Sequence, residues 1–179
     1  MKSILRISIL AAAAFAAAPA SAQTAEACYQ ATLRFNGPEI IRACSAALER
    51  GGLQREDLSI VYSNRALGYM HQKQWDEAIA DLSEALAIDG TNPFAFNSRG
   101  QCWTNKKNYE RAFADFDEAL RLDAGFTGAY LNRGLAYQEM GDKQKAIAQF
   151  RLALQQDGTR EIDKWARARA QEHLSELER

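Results

Sequence analysis

Two histidines, His71 and His173, are the side chains whose type best suits proton transfer or metal binding near neutral pH, and about a hundred residues separate them. That distance gives no metal-ligand spacing, and the histidines read as ordinary helical residues. The chain contains no Ser-His-Asp order, no phosphate-cradling glycine loop, no His-Glu-x-x-His and no Cys-x-x-Cys. Its acidic residues fall at helical spacing, which makes them solvated faces rather than a paired acid and base. No catalytic, cofactor or metal site is expected. The remaining polar signal is a set of arginines, Arg65, Arg99 and Arg133, that recur every 34 residues.

A composition of 47% hydrophobic and 25% charged residues with three prolines suits a compact helical protein. The net charge of −1 leaves no basic stripe for neutralising phosphates, so no nucleic acid is expected as partner. Residues 1–22 read as a cleaved signal peptide: Lys2 and Arg6 precede an apolar run over 7–18, and Ala20-Ser21-Ala22 supplies the small residues of a cleavage site. The apolar run is too short for a membrane anchor, and Cys28 lies too far from the cleavage site for a lipoprotein. Cleavage before Gln23 leaves 20 basic against 23 acidic residues, a charge of −3. The alanine-rich leader has a bacterial look, which predicts export to the periplasm, with secretion as the alternative. No stable membrane insertion of the mature chain is expected.

The arginine period is shared by other columns. A shift of 34 residues aligns Ala78, Ala112 and Ala146; Ala85, Ala119 and Ala153; Leu86, Leu120 and Leu154; and Asp89, Asp123 and Asp157. Within each unit the apolar residues stand three and four apart, the helical period. First helices carry Tyr62, Ala66, Tyr69; Phe96, Gly100, Trp103; and Tyr130, Gly134, Tyr137. Second helices carry Ala78, Leu82, Ala85; Ala112, Phe116, Ala119; and Ala146, Phe150, Ala153. Small residues therefore face each other where the two helices cross, with aromatics on either side. Polar turns follow the first helices, and Gly90 and Gly158 are expected to end second helices.

The pattern Tyr62-x2-Arg65-Ala66-x2-Tyr69…Ala78-x3-Leu82, with its copies from Phe96 to Phe116 and from Tyr130 to Phe150, resembles the tetratricopeptide repeat over about residues 59–158. Arginine stands in that family's leucine slot, where its stem can still pack, and the closing proline is missing. The resemblance implies an all-α, right-handed solenoid of helical hairpins. The expected organisation is a signal peptide at 1–22, a divergent helical hairpin at 23–52, three repeats at 53–158 and a capping helix at 159–179. In the hairpin, helices are read over 25–35 and 39–50, with Asn36-Gly37-Pro38 between them. In the cap, Ile162, Trp165, Ala166, Leu174 and Leu177 mark the apolar side, and Trp165 is expected to pack against the last repeat.

Cys28 and Cys44 lie equally far from the turn at Asn36, so antiparallel helices would bring their sulfurs together. An oxidising compartment would join them, a bond worth roughly 3 kcal/mol in the chain-entropy model; two buried thiols are the alternative. Cys102 is left as a small buried hydrophobe. Asp81 and Asp115 should pass Arg65 and Arg99 on the neighbouring helix, forming an internal ion-pair ladder. Gln149 takes that place opposite Arg133 and leaves it freer.

The resemblance also implies a partner-binding concave face on the first helices, here Asn64, Leu67, Met70, His71, Phe94, Asn97, Ser98, Gln101, Leu131, Asn132 and Leu135. Asn64, Ser98 and Asn132 would hydrogen-bond a peptide main chain, and the apolar members would receive its side chains. Packing against neighbouring repeats is the alternative for the leucines. The function read from the sequence is binding of a neutral to apolar peptide or protein segment, by an adaptor or assembly factor of the cell envelope, with self-association open. An obligate structural subunit is the alternative, and an enzyme or metal-binding protein the weaker one.

Overall fold

The computed structural model describes residues 20–34 and 36–179. The expected signal peptide falls largely outside them. Among the described residues there are nine α-helices and no strand: α1 (Ala20–Thr32), α2 (Gly37–Arg50), α3 (Arg55–His71), α4 (Trp75–Ile88), α5 (Pro93–Asn105), α6 (Tyr109–Leu122), α7 (Thr127–Glu139), α8 (Lys143–Leu154) and α9 (Glu161–Leu177). They pack as successive antiparallel neighbours, α1 on α2, α3 on α4, α5 on α6 and α7 on α8, with α9 closing the stack against α7 and α8. The arrangement is a tetratricopeptide-type helical solenoid with a capping helix. No helix is long and apolar enough to cross a membrane among the described residues.

Local chemistry sets the helix ends. Asn36, Asn92, Asn108 and Asp142 cap α2, α5, α6 and α8 by accepting hydrogen bonds from first-turn N–H groups, and Pro38 and Pro93 occupy first turns. The first helices of the units stop where Lys73, Lys107 and Gly141 take positive φ, again 34 residues apart. Gly90 and Gly158 do not end helices through such a conformation. Instead α4 and α6 end on extended Asp89 and Asp123, whose carboxylates accept from the N–H groups of Thr91 and Gly125 (both 3.0 Å). At Asp89 and Asp123 the aspartate column is a turn device. Gly158 is needed for space, because a Cβ there would press on Asp163.

The crossing within each unit is as close as the small residues allow. A Cβ on Gly100 would lie 2.6 Å from Phe116 Cε1, and one on Gly134 would collide with Phe150. Phe116, Phe150 and the alanines Ala66, Ala78, Ala112 and Ala146 are fully buried. A second small-residue column, Gly68, Cys102 and Ala136, is also buried. At Gly68 the first helix meets Gly37 O of α2 at 3.0 Å from where a Cβ would stand. Cys102 is its middle member. Burial, and then the Asp115 carboxylate, push its thiol up to about 12, so it stays protonated and inert. Before the array, Cys28 and Cys44 are joined (S–S 2.08 Å) and fully buried, tying α1 to α2. α1 starts five residues earlier than the pattern suggested, at Ala20.

The arginine column lies between helices. Arg65 donates through Nε and Nη2 to both oxygens of Asp81 (2.7 Å each) and through Nη1 to Ser45 Oγ (3.2 Å). Arg99 repeats this with Asp115 (2.9 and 2.8 Å) and with Ser83 Oγ on the preceding unit (3.1 Å). The Asp81 bonds outweigh burial and raise the pKa of Arg65 further above its ordinary range. The third unit differs. Arg133 Nη1 reaches back to Asp117 Oδ1 (3.0 Å), while Arg133 Nε and Gln149 Oε1 are buried without partners. Arg133 is thus not free. Its acid has moved from its own unit to the one before, at the position Ser83 holds one repeat earlier.

Candidate binding groove

The inner faces of α3, α5 and α7, closed at one end by α9, enclose a cavity of about 440 Å³. Of the residues the sequence assigned to a concave site, Asn64, Leu67, Phe94, Asn97, Ser98, Gln101, Leu131 and Asn132 line it. Ser63, Asn92, Phe126, Gly128, Ile162, Trp165 and Ala166 line it too, and none of the lining residues is charged. Leu135 lies further along, in a smaller pocket of about 70 Å³ that shares Gln101 and Asn132 with the main one.

Three of the assigned residues have other surroundings. Met70 packs on the core around Ala66, Ala78 and Leu82. His71 sits at the α3 end beside Gly37, where α2 begins, and does not line the cavity. Leu131 is only 2% exposed: its side chain is locked among Ala146, Phe150 and Ala166, so it supplies floor rather than contact surface. The physical reason is the cap, which covers the last first-helix. Trp165 reverses its expectation, being 57% exposed and turned into the cavity with Ile162. The signal for this was in the pattern of α9. Ala166, Ala170 and Leu174 are the buried stripe, and Ile162 and Trp165 stand off it.

Polar groups follow the ladder position one residue before each arginine: Asn64, Ser98 and Asn132. Asn132 Nδ2 donates to Asn97 Oδ1 (3.0 Å), which leaves the Asn132 carbonyl and the Asn97 amide group for other partners. Asn64 Nδ2 and Ser63 Oγ are enclosed and make no hydrogen bond. An unpaired polar group of this kind costs about 1–3 kcal/mol. At the rim, the Phe94 and Phe126 rings meet at 4.7 Å, and the Arg160 guanidinium lies over both at 5.4 and 5.8 Å. Arg160 is itself held by Asp163 (2.6 and 3.0 Å) and Asp123 (3.4 Å), so its charge is answered outside the cavity.

Fold and groove together define a helical-repeat protein with a concave, uncharged groove. The family model for the tetratricopeptide repeat matches residues 59–92 and 128–160. No curated protein matches the sequence. Among solved structures, the chain is similar to the tetratricopeptide domain of Arabidopsis OM64, with 26% identity, a TM-score of 0.56, and 67% of this chain and 99% of that one covered. It is similar to the second such domain of human RPAP3 in complex with the HSP70 peptide SGPTIEEVD, with 22% identity, a TM-score of 0.58, and 70% and 99% covered. MamA gives a TM-score of 0.67 at 17% identity, with 77% and 78% covered.

Proposed function

We propose that this protein is an exported peptide-binding module of the cell envelope, an adaptor or assembly factor whose concave groove holds a neutral, apolar-rich segment of a partner protein. The observation that carries the reading is a groove without a single charged lining residue, fitted with amides and exposed apolar side chains. The RPAP3 domain is in complex with a peptide ending in EEVD. An acidic end needs cations, and the repeated arginines of this chain are paired between its helices instead. A segment with main-chain polarity and few charges suits the groove better. The leader at residues 1–22 and the Cys28–Cys44 bond support export to an oxidising compartment.

A photocrosslinking residue placed at exposed Gln101 in living cells tests the function, with exposed Lys143 on α8 as control. The expected result is one dominant envelope partner from the groove position, crosslinked through an uncharged stretch, and none from the control. Equal capture from both positions would contradict it. Intact-mass analysis of envelope-purified protein tests the export, with an expected start at Gln23 and a mass that rises on alkylation at Cys28 and Cys44 only after reduction.

A further inference from the structure

A capping helix has one physical task, to cover the apolar side of the last repeat, and α9 performs it with one stripe. Ala166, Ala170 and Leu174 are buried on that stripe. Nothing in this task calls for Trp165, which is 57% exposed, or for Ile162 one turn before it, 47% exposed. A polar residue at either place would cap equally well and cost less in exposed apolar surface. Both side chains line the groove, whose volume of about 440 Å³ leaves room for a bulky group. Phe94, an exposed residue, stands on the same cavity and is held by Phe126 and Arg160.

We infer that α9 is a wall of the binding site and that Trp165 anchors the ligand by covering one large apolar side chain of a neutral peptide segment. The inference rests on the groove reading above and adds to it the ligand's chemistry: one aromatic or branched aliphatic residue, flanked by uncharged ones. The amides of Asn64, Asn97 and Asn132 take the main chain, so they act on any segment. Trp165, Ile162 and Phe94 choose among segments. A tryptophan enclosed on binding is the residue type most often found to dominate an interface.

The test uses the full mature chain and short, end-blocked peptides of glycine, serine and asparagine with a central phenylalanine, leucine or serine. Trp165 is more exposed than the partly buried Trp75 and Trp103, and its emission is read against the Trp165→Ala background. The phenylalanine and leucine peptides are expected to bind and to shift the emission to the blue, and the serine peptide to bind at least about tenfold more weakly. Trp165→Ala should lose about tenfold for the phenylalanine peptide and abolish the shift, while Trp165→Phe keeps most of the affinity. Circular dichroism should show both variants folded, as befits an exposed position, and Ile162→Ser serves as a second, independent change in the same wall. Wild-type affinity in both Trp165→Ala and Ile162→Ser would overturn the anchor and leave the groove reading intact. Peptide binding that ignores Asn64→Ala with Asn132→Ala would overturn the groove reading itself. No binding of either apolar peptide to the parent protein would overturn the ligand class proposed here, and the crosslink from Gln101 would still decide the groove.

Discussion

Asn64 and Arg65 are neighbours in sequence, as are Ser98 and Arg99, and Asn132 and Arg133, yet the members of each pair serve two different surfaces. The arginines point between helices and meet Asp81, Asp115 and Asp117. The residues before them line the groove, where Asn132 meets Asn97 and Asn64 Nδ2 has no hydrogen-bond partner. One helical step of rotation separates a charged, paired, enclosed face from an uncharged and partly unpaired one. The same 34-residue period thus holds the solenoid together on one face and shapes the groove on the next. The difference predicts that changes on the first face alter stability, whereas changes on the second alter binding.

The largest effect is expected at the face packed between the helices. Asp81→Ala strands the Arg65 guanidinium among Ser45, Tyr62 and Tyr69, and breaking a buried pair typically costs about 3–5 kcal/mol. Because the Arg65 side chain keeps 20% of its exposure, the loss should be near 3 kcal/mol by denaturant melts. Gly134→Leu comes next. It drives a side chain into Phe150 and should cost roughly 1–3 kcal/mol, less up to ~1 kcal/mol regained from better helix propensity. A melt as stable as the parent's would mean that the helices do not cross there.

Cys102 gives a pH-dependent check on the same interior. Its thiol ionises near 9.0 when unfolded and is pushed up to about 12 in the fold, first by burial and then by Asp115. The unfolded chain therefore loses this proton first. The associated stability is whole below about pH 9 and is lost as pH rises toward 12, by about 1 kcal/mol at pH 10. Cys102→Ala should flatten that alkaline slope in melts run between neutral pH and pH 10. The smallest effect is expected at Asp117→Ala, where the acid is 62% exposed: below about 1 kcal/mol, against near 3 for Asp81. Equal losses at Asp81 and Asp117 would erase the distinction between the first two units and the third.

What could be read in the sequence follows from where a side chain's surroundings come from. The period, the small-on-aromatic crossing at Gly100 and Gly134, and the Arg65–Asp81 and Arg99–Asp115 pairs lie within single units, and sequence spacing sets them directly. Arg133 was misjudged because its acid belongs to the preceding unit. Asp117, two residues beyond Asp115 with no counterpart acid at Ser83, was the available clue. Leu131 follows the packing alternative open to the leucines, and Trp165 departs from its expected packing, for a related reason. Their exposure depends on how α9 rolls against α7, and helical periodicity fixes a stripe without fixing which neighbour covers it. Met70 and His71 share a helix with the groove residues but lie toward other packing partners.

The proposed groove recognises an uncharged segment through amides. The most direct measurement is a calorimetric titration of the segment captured by the groove crosslink, at low and at high salt, with the parent protein and with Asn64→Ala/Asn132→Ala. The affinity is expected to change little with salt, since few charges are screened, and to fall by roughly 1–3 kcal/mol in the double variant with its melting curve unchanged. A steep loss of affinity with salt, together with full affinity in the double variant, would contradict this expectation and point to the charged convex surface as the binding face.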